Sequence, residues 1–296
     1  MTADPTESSR HDPVRVIGLC LKPGSPQVDE AVRTLAKWLA ERDVEVLLDP
    51  AAARALGGRE LSRRELGERA DFLVVLGGDG TLLSVARQVG TQPVPMVGIN
   101  LGRLGFLAEI APGEQFDALE RVLRGEYNVT ERMRLDVQAF REDRVIASYL
   151  ALNDAVIARS DPSRMIDLEV NADGARVTTY RADGIIVATP TGSTAYSLSA
   201  GGPIVLPSTG AFVLTPISAH TLSQRPVVLP GRTVLEVKVF PREGDAQLTV
   251  DGQSHAALQA GDRVQMTASE HPVHFVTSPF RSHFDLLRTK LRWGTD

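Results

Sequence analysis

Three glycines and one carboxylate follow a short apolar run, and this spacing suits phosphate chemistry. Residues 72–76 read Phe-Leu-Val-Val-Leu, and residues 77–81 read Gly-Gly-Asp-Gly-Thr. Glycine lets the backbone approach a ligand closely, and the apolar residues that follow recur at helical spacing. A strand, a glycine turn and a helix N-terminus together bring N–H groups around an anion. The segment therefore predicts a phosphate loop made by Gly77, Gly78, Gly80 and Thr81.

Asp79 is the unexpected residue of this turn, because a carboxylate repels phosphate. It fits if it binds a metal ion or takes a proton from an attacking hydroxyl group. The alternative is an ordinary strand–turn–helix connection with a solvated carboxylate. Because the residue lies in a glycine turn, we expect its side chain to support no core packing.

Two common nucleotide-binding motifs are absent from the sequence. No Gly-x-x-x-x-Gly-Lys-Ser/Thr occurs, which argues against a P-loop nucleotide hydrolase. No Gly-x-Gly-x-x-Gly follows the first predicted strand, residues 14–19. Gly98, Gly102 and Gly105 lie in a glycine-rich segment, but their spacing does not match that dinucleotide fingerprint.

A second group of polar residues lies in apolar surroundings further along the chain. Asn153 and Asp154 interrupt an apolar segment, and residues 184–188 lead into Thr-Pro-Thr-Gly-Ser-Thr at 189–194. Small hydroxyl residues and glycines form a shallow surface that can hydrogen-bond a sugar or a base edge. Ser193 or Thr194 is predicted to cap a helix near residues 193–199. The alternative for this segment is a capped helix and turn without a ligand.

Composition narrows the class of protein and its partners. The chain has 296 residues, 43% of them hydrophobic, which is enough for a full core and two domains. A net charge of −5 argues against nucleic-acid binding. Its one cysteine, Cys20, fits a reducing cytoplasm. No apolar stretch reaches the roughly 20 residues that span a membrane, and the six histidines form no persuasive metal site.

The periodicity of apolar residues predicts two domains after a disordered leader, residues 1–13. Residues 14–127 alternate strands and helices, which predicts an α/β domain with a mostly parallel sheet. Residues 128–276 hold short β-type runs separated by turn signals, which predicts a mainly-β, sandwich-like domain. A last helix over 282–293 is expected to return to the first domain with residues 277–296. In the first domain we predict strands at 14–19, 44–48, 72–76 and 94–99, and helices at 27–42, 61–66, 114–124 and from about Thr81.

These segments, taken together, resemble the NAD kinase family. The resemblance spans positions from about 14 to 290 in the family's order. The glycine–aspartate turn alone is shared with lipid kinases and phosphofructokinase-like enzymes, whereas the block at 189–203 is far more specific. The matching segments are residues 77–81, 102–107, 153–154, 183–203, 220–226 and 251–253.

The resemblance implies phosphoryl transfer from ATP or polyphosphate to the 2′-hydroxyl of the adenosine ribose of NAD, which gives NADP. Asp79 matches the family's catalytic aspartate, and Gly80 matches its backbone neighbour at the substrate. Asn153 and Asp154 match the pair that holds the ribose hydroxyls, although many members have Glu at the second position. The positions that match adenine and ribose contacts are Thr194, Ala195, Tyr196 and Ser199. Further contacts, matched less securely, are Arg164, Arg181, Asp183 and Gln253.

The expected mechanism also requires a divalent metal, with Mg²⁺ favoured, to offset the donor phosphates, and no metal ligand is assigned in the chain. We expect NAD and ATP as substrates, no nucleic acid or membrane partner, and a cytoplasmic homo-oligomer, either a dimer or a tetramer. The site is expected in the cleft between the two domains. Two alternatives stay open: a lipid kinase with the same glycine–aspartate turn, and a non-catalytic NAD-binding sensor.

Overall fold

The computed structural model describes residues 10–24, 26–160, 165–220, 224–241 and 245–294. These residues divide into two compact units. The first unit takes the residues up to Glu131 and those from Val273 onwards, and the second takes Arg132–Pro272. Part of the expected leader lies outside the described residues. Of the rest, the His11 N–H donates to Gly125 O at 2.9 Å, and the His11 ring stacks on Tyr127.

The first unit is an α/β fold around a six-stranded sheet of order β2-β1-β3-β4-β18-β5. The pairs β1/β2, β1/β3, β3/β4 and β4/β18 are parallel, which confirms the predicted fold class. Its elements are β1 (Val16–Leu21), α1 (Pro26–Ala40), β2 (Glu45–Leu48), α2 (Pro50–Leu56), α3 (Arg63–Arg69), β3 (Phe72–Leu76), α4 (Asp79–Val89), β4 (Met96–Ile99), α5 (Gln115–Leu123), β5 (Val129–Arg132), β18 (Val273–Val276) and α7 (His283–Leu291).

The sheet of the first unit is covered on both faces, as parallel sheets usually are. All five residues of β3 are buried, and α1 turns Val28, Val32, Leu35 and Leu39 towards the core. Cys20 on β1 is fully buried, and burial raises the pKa of its thiol. The lone cysteine is therefore an inert core residue.

Helix α2 was not predicted from the sequence. Asp49 caps it by accepting hydrogen bonds from the N–H groups of Ala51 and Ala52, and Pro50 occupies the first helical turn. An Asp-Pro pair at this place is a helix-start signal. Its alanine-rich sequence gives little apolar periodicity, which is the pattern used to predict the other helices.

The second unit consists of two six-stranded antiparallel sheets, of order β10-β9-β14-β17-β6-β7 and β13-β12-β11-β8-β15-β16. One core cluster draws residues from both sheets, so the unit is a sandwich, as predicted. Its elements are β6 (Leu135–Arg141), β7 (Arg144–Ala151), β8 (Asp154–Arg159), β9 (Ile166–Ala172), β10 (Ala175–Ala182), β11 (Gly184–Ala188), α6 (Tyr196–Ser199), β12 (Ala211–Ile217), β13 (Val227–Pro230), β14 (Leu235–Pro241), β15 (Ala246–Val250), β16 (Ser254–Leu258) and β17 (Arg263–Ala268).

The end of the chain returns to the first unit, which confirms the expectation for the last helix. Strand β18 pairs with β4, and Arg281 forms an ion pair with Glu114. Ser282 and Asp285 form a capping box at the start of α7. Among the described residues, no helix is long and apolar enough to cross a membrane.

The helix predicted near residues 193–199 differs from the structure. A 3₁₀ turn covers Gly192–Thr194, and α6 spans only Tyr196–Ser199 with no side-chain cap. The Ser193 hydroxyl instead donates to Pro190 O at 2.7 Å and accepts from the Val205 N–H at 3.0 Å. The hydroxyl that was expected to cap the helix is therefore used by one bond within its own turn and one bond to residue 205.

Candidate active site

The glycine–aspartate turn, Gly77–Thr81, joins the end of β3 to the start of α4. Gly78 is the N-cap of α4 and supplies no side-chain cap. A Cβ at Gly77 would lie 2.5 Å from Thr81 Oγ1, so close packing requires glycine there. A Cβ at Gly80 would meet nothing within 4 Å. Packing therefore does not require glycine at position 80.

Asp79 holds a neighbouring loop through its carboxylate. Oδ2 accepts from the Phe106 N–H at 2.9 Å, and Oδ1 accepts from the N–H groups of Leu107 and Ala108 at 3.0 Å each. As the first residue of α4, Asp79 also places its negative charge at the positive end of that helix. The side chain therefore has an anchoring role that the sequence did not predict, because it organises three consecutive backbone donors.

The loop above Asp79, residues 100–108, is itself ordered by short-range bonds. Asn100 Oδ1 accepts from the Gly102 N–H at 3.0 Å, and the Asn100 amide donates to Arg103 O. A Cβ at Gly105 would lie 1.9 Å from Asp79 Oδ1. Gly105 therefore allows the loop to close over the carboxylate. This close approach explains why residue 105 is glycine although its spacing does not match the dinucleotide-binding motif.

A cavity of about 410 Å³ lies beside the first turn of α4. Its lining includes Gly80, Thr81, Ser84, Arg54, Arg63 and Asp49. The size is in the usual range for small-molecule sites. Hydroxyl groups, a helix N-terminus and guanidinium groups suit a phosphorylated ligand.

Arg63 and Asp49 form the rigid wall of this cavity. Asp49 is 1% exposed, and Arg63 Nη2 lies 2.9 Å from its Oδ2. Arg63 also donates to Ser84 Oγ at 3.1 Å and to Leu21 O at 3.1 Å. Arg63 is thus committed to the protein, whereas Arg54 is exposed at the cavity.

In the second unit, one side chain holds the backbone of the predicted ribose pair. Asp251 Oδ1 accepts from the N–H groups of Asn153 at 2.7 Å and Asp154 at 3.0 Å. Its Oδ2 accepts from the Leu152 N–H at 2.9 Å. Asp251 has φ of +50° and is followed by Gly252 with φ of +65°, in the turn between β15 and β16. The start of β8 is therefore fixed by a residue about a hundred positions away.

The hydroxyl-rich turn at 189–192 packs on the same backbone. Thr189 N–H donates to Asn153 O at 2.8 Å, and its hydroxyl donates to Leu152 O at 2.5 Å. A Cβ at Gly192 would lie 2.0 Å from Asn153 O. The Asn153-Asp154 segment and the 189–192 turn, which were predicted separately from the sequence, thus form one cluster. Thr194, Ala195 and Tyr196 come shortly after this turn in the chain.

Asp154 is 5% exposed and pairs with Ala188 across β8 and β11. Burial, with a smaller contribution from the Asp251 charge, raises the pKa of its carboxyl from 3.8 to about 7. A carboxyl group that titrates near neutrality can both accept and donate a hydrogen bond. Perturbed groups of this kind are concentrated in functional sites.

Other residues of the predicted set have different surroundings. Tyr196 is 46% exposed and Ser199 is exposed, so both can meet a ligand. The Gln253 N–H donates to Val250 O at 3.0 Å within the β15–β16 turn, beside Asp251. Arg164 lies outside the described residues.

Arg181 and Asp183 lie at the far end of β11 from Asp154. Arg181 pairs with Asp167 at 3.0 Å, and Asp183 pairs with Arg159 at 3.1 Å. Gly184 begins β11 and Ala188, opposite Asp154, ends it. At about 3.3 Å per residue, these ends are about 13 Å apart. Within one chain, the structure does not bring Arg181 and Asp183 next to the ribose pair.

Two positioning elements were missed from the sequence. Asp251 belonged to a matching segment, Asp251-Gly252-Gln253, but only Gln253 was assigned to the site. The Asp-Gly pair was a signal for a turn with positive φ. The backbone of residues 106–108, which binds Asp79, left no signal in side-chain types.

The described residues contain no group of three or more His, Cys, Asp or Glu side chains that could hold a metal ion. Three backbone donors also bind the Asp79 carboxylate. The protein side chains described here therefore do not fit a resident metal centre.

Comparison with known proteins identifies the family. The ATP-NAD kinase N-terminal domain family matches residues 17–127, and the ATP-NAD kinase C-terminal domain family matches residues 152–278. The chain belongs to the NAD kinase family. NAD kinase from Solibacter usitatus is 44% identical over 282 residues, which cover 95% of this chain and 98% of that protein. NAD kinase from Syntrophotalea carbinolica is 43% identical over 280 residues, which cover 94% and 98%.

Two solved structures of the family share the fold. Yeast NADH kinase complexed with NADH gives a TM-score of 0.87 at 28% identity, over 96% of this chain and 89% of that one. An NAD kinase from Archaeoglobus fulgidus in complex with ATP gives 0.76 at 29% identity, over 94% and 98%. These relatives bind a nicotinamide dinucleotide and ATP, respectively.

Proposed function

We propose that this protein is an NAD kinase that transfers the terminal phosphoryl group of ATP to the 2′-hydroxyl of the adenosine ribose of NAD. The single observation that carries the proposal is that a chain of this family holds two preorganised acidic groups, one in each unit. Asp79 lies at a glycine-lined helix N-terminus, and Asn153-Asp154 lies on a backbone fixed by Asp251.

The transfer itself is an in-line displacement at phosphorus. The bond from the ribose 2′-oxygen to the γ-phosphorus forms, the bond from that phosphorus to the β–γ bridging oxygen breaks, and ADP leaves. The hydroxyl proton passes to a base. Phosphoryl transfer depends on positioning and charge neutralisation more than on covalent catalysis.

Asp79 is the base that we assign to this step. A carboxylate offers about four lone-pair sites, and the backbone of residues 106–108 occupies three of them. One acceptor position remains for the ribose hydroxyl. Because the three N–H bonds fix the carboxylate, it needs no reorganisation when the hydroxyl arrives.

The donor phosphates are assigned to the cavity beside α4. The hydroxyls of Thr81 and Ser84 and the exposed Arg54 offer donors to anionic oxygens at the positive end of the α4 dipole. Mg²⁺ would be held mainly by the donor phosphates and water, as this ion usually is, and not by a set of protein side chains. Bound there, it would offset the charge of the phosphates.

The nucleotide acceptor is assigned to the second unit. Asn153 and Asp154 present an amide and a carboxyl group to the vicinal ribose hydroxyls, and Tyr196 offers an exposed aromatic face. Asp154→Ala should raise the KM for NAD and lower kcat, with the KM for ATP little changed. Gly80, Thr194, Ala195, Ser199 and Gln253 remain further contacts in this proposal.

We also propose that the enzyme is a cytoplasmic homo-oligomer. Gly184, the residue after Asp183, lies about 13 Å along β11 from Ala188, which pairs with Asp154, at about 3.3 Å per residue. Arg181 precedes Gly184 by three residues. If both groups contact the same ribose, the second group comes from another copy of the chain. Sedimentation of the active enzyme would test the assembly.

The deciding experiment is product analysis with NAD, ATP and Mg²⁺, read by an NADP-specific dehydrogenase. We expect NADP, no product without Mg²⁺, and no phosphorylation of diacylglycerol or a sphingoid base. Phosphorylation of a lipid would favour the lipid-kinase alternative. Folded protein that binds NAD but makes no NADP with any donor or divalent metal would instead be a sensor.

A further inference from the structure

The turn between β15 and β16 contributes one carboxylate to three consecutive backbone donors of another segment. Asp251 accepts from the N–H groups of Leu152, Asn153 and Asp154 at 2.7–3.0 Å. The Asp251 N–H in turn donates to Asp154 O at 3.0 Å. The backbone on both sides of Asn153 is therefore tied to one side chain.

We propose that Asp251 is a positioning residue for the reaction, which sets Asn153 and Asp154 for ribose binding through these hydrogen bonds. This inference rests on the proposed function for the ribose pair. Asp251 acts through the backbone of its neighbours and is assigned no contact with substrate.

The same turn occurs a second time in this unit and provides an internal comparison. Asp173 has φ of +50° and is followed by Gly174 with φ of +78°, between β9 and β10. Its N–H donates to Val234 O at 2.9 Å, and its Oδ1 accepts from the Val234 N–H at 2.8 Å. The two turns thus share one exchange of bonds, but only the Asp251 carboxylate, of these two, holds the N–H groups of three consecutive residues, Leu152, Asn153 and Asp154.

Electrostatics gives Asp251 a second effect on the pair. Its negative charge, added to burial, helps to raise the pKa of Asp154 to about 7. On β11 the residue paired with Asp154 is the apolar Ala188, whereas Val250 on β15 pairs with the next residue, Ala155. Arg134 interacts electrostatically with Asp251. Burial lowers the pKa of Arg134, and the charges of Asp136 and Asp251 offset part of that shift.

Asp251→Asn tests the hydrogen bonds and the charge of Asp251 while leaving the turn able to form. Asparagine tolerates positive φ and keeps one carbonyl oxygen, but it loses the charge and one of the two acceptor oxygens. Asp173→Asn is the matched control, because it makes the same change in the same kind of turn. Asp251→Glu is the second variant, since it keeps the charge and lengthens the side chain.

Three measurements apply to each variant: the KM values for NAD and ATP, the affinity for NAD by calorimetry, and the titration of the Asp154 carboxyl by ¹³C NMR. For Asp251→Asn we expect the KM for NAD to rise at least fivefold and the KM for ATP to stay within twofold. We expect the Asp154 titration to move at least half a pH unit lower. For Asp251→Glu we expect weaker NAD binding as well, but no decrease in the pH at which Asp154 titrates.

The proposal is overturned if Asp251→Asn leaves NAD affinity and the Asp154 titration as in the wild type, or changes them no more than Asp173→Asn does. If Asp251→Asn does not fold, Asp251→Glu decides, and unchanged NAD affinity there is equally negative. Failure of the proposed function is a separate outcome, because wild-type protein would then make no NADP while calorimetry and NMR still measure the effect of Asp251.

Discussion

Asp79 in the first unit and Asp251 in the second both bind three consecutive backbone N–H groups, but they place the candidate chemistry differently. At Asp79, the carboxylate that anchors the loop 106–108 is also the proposed base. At Asp251, the anchoring carboxylate and the proposed ligand contacts are on different residues. In the first site one carboxylate both anchors the loop and reacts. In the second site a change at Asp251 would disturb the positions of Asn153 and Asp154 without removing their side chains.

Asp79→Asn is the substitution expected to have the largest effect, since it removes the base and one of the acceptors for residues 106–108. General-base catalysis contributes roughly 10²–10⁴ in rate, so we expect kcat for NADP formation to fall by at least that lower bound. Asp71→Asn is the control, because Asp71 Oδ2 accepts the N–H groups of Arg15 and Val16 at 2.9 Å each in the same unit.

A kcat above half of the wild-type value in Asp79→Asn would remove Asp79 from the proposed mechanism. Hydrogen exchange at the amides of residues 106–108 reports the anchoring role separately. Faster exchange there with normal kcat would make Asp79 an anchor alone.

Gly105→Ala tests whether loop geometry, apart from the charge, limits the first site. The new Cβ would lie 1.9 Å from Asp79 Oδ1, so either the loop or the carboxylate must move. A displacement of about 1 Å can cost about 10² in rate, and we expect a fall in kcat of that order. Gly102→Ala is the matched control, because its nearest neighbour is Asn100 Oδ1 at 3.7 Å. Equal activity of the two variants would show that closure over Asp79 is not required.

Asp154→Asn probes the second site through the pH dependence of stability and not through a reaction rate. The Asp154 carboxyl keeps its proton up to about pH 7 in the folded chain, against 3.8 as its ordinary pKa. The folded state therefore binds more protons between these values, and its stability falls as pH rises through them. Asparagine has no such proton to lose.

We therefore expect Asp154→Asn to be more stable than the wild type at pH 8, by up to about 4 kcal/mol at 1.36 kcal/mol per pKa unit. The difference should disappear near pH 4. Urea unfolding at the two pH values measures it. Lower stability of the variant at pH 8 would show that ionisation of the buried Asp154 carboxyl does not destabilise the folded state. If the variant gains stability at pH 8 and binds NAD more weakly, the Asp154 carboxyl serves binding at a cost in stability.

Local sequence signals predicted many elements of the fold. Strand β3 has the predicted bounds because five apolar residues end at a glycine pair. Helix α1 was predicted within two residues at each end from its apolar spacing. Helix α2 was missed, since Asp49-Pro50 marks its start but its alanines carry no apolar period. The short α6 was overestimated, because the Ser193 hydroxyl bonds to the backbone of Pro190 and Val205 instead of capping a helix.

The sequence by itself determined the glycine–aspartate turn, the polar pair at 153–154, the two fold classes and the family resemblance, since all of these are written in side-chain types and spacing. Only the tertiary structure decided what holds those groups. Asp79 binds donors 27–29 residues away, and Asp251 binds donors 97–99 residues away. The physical reason is that every non-proline residue carries the same backbone N–H, so a bond to it leaves no mark on the identity of the donor residue.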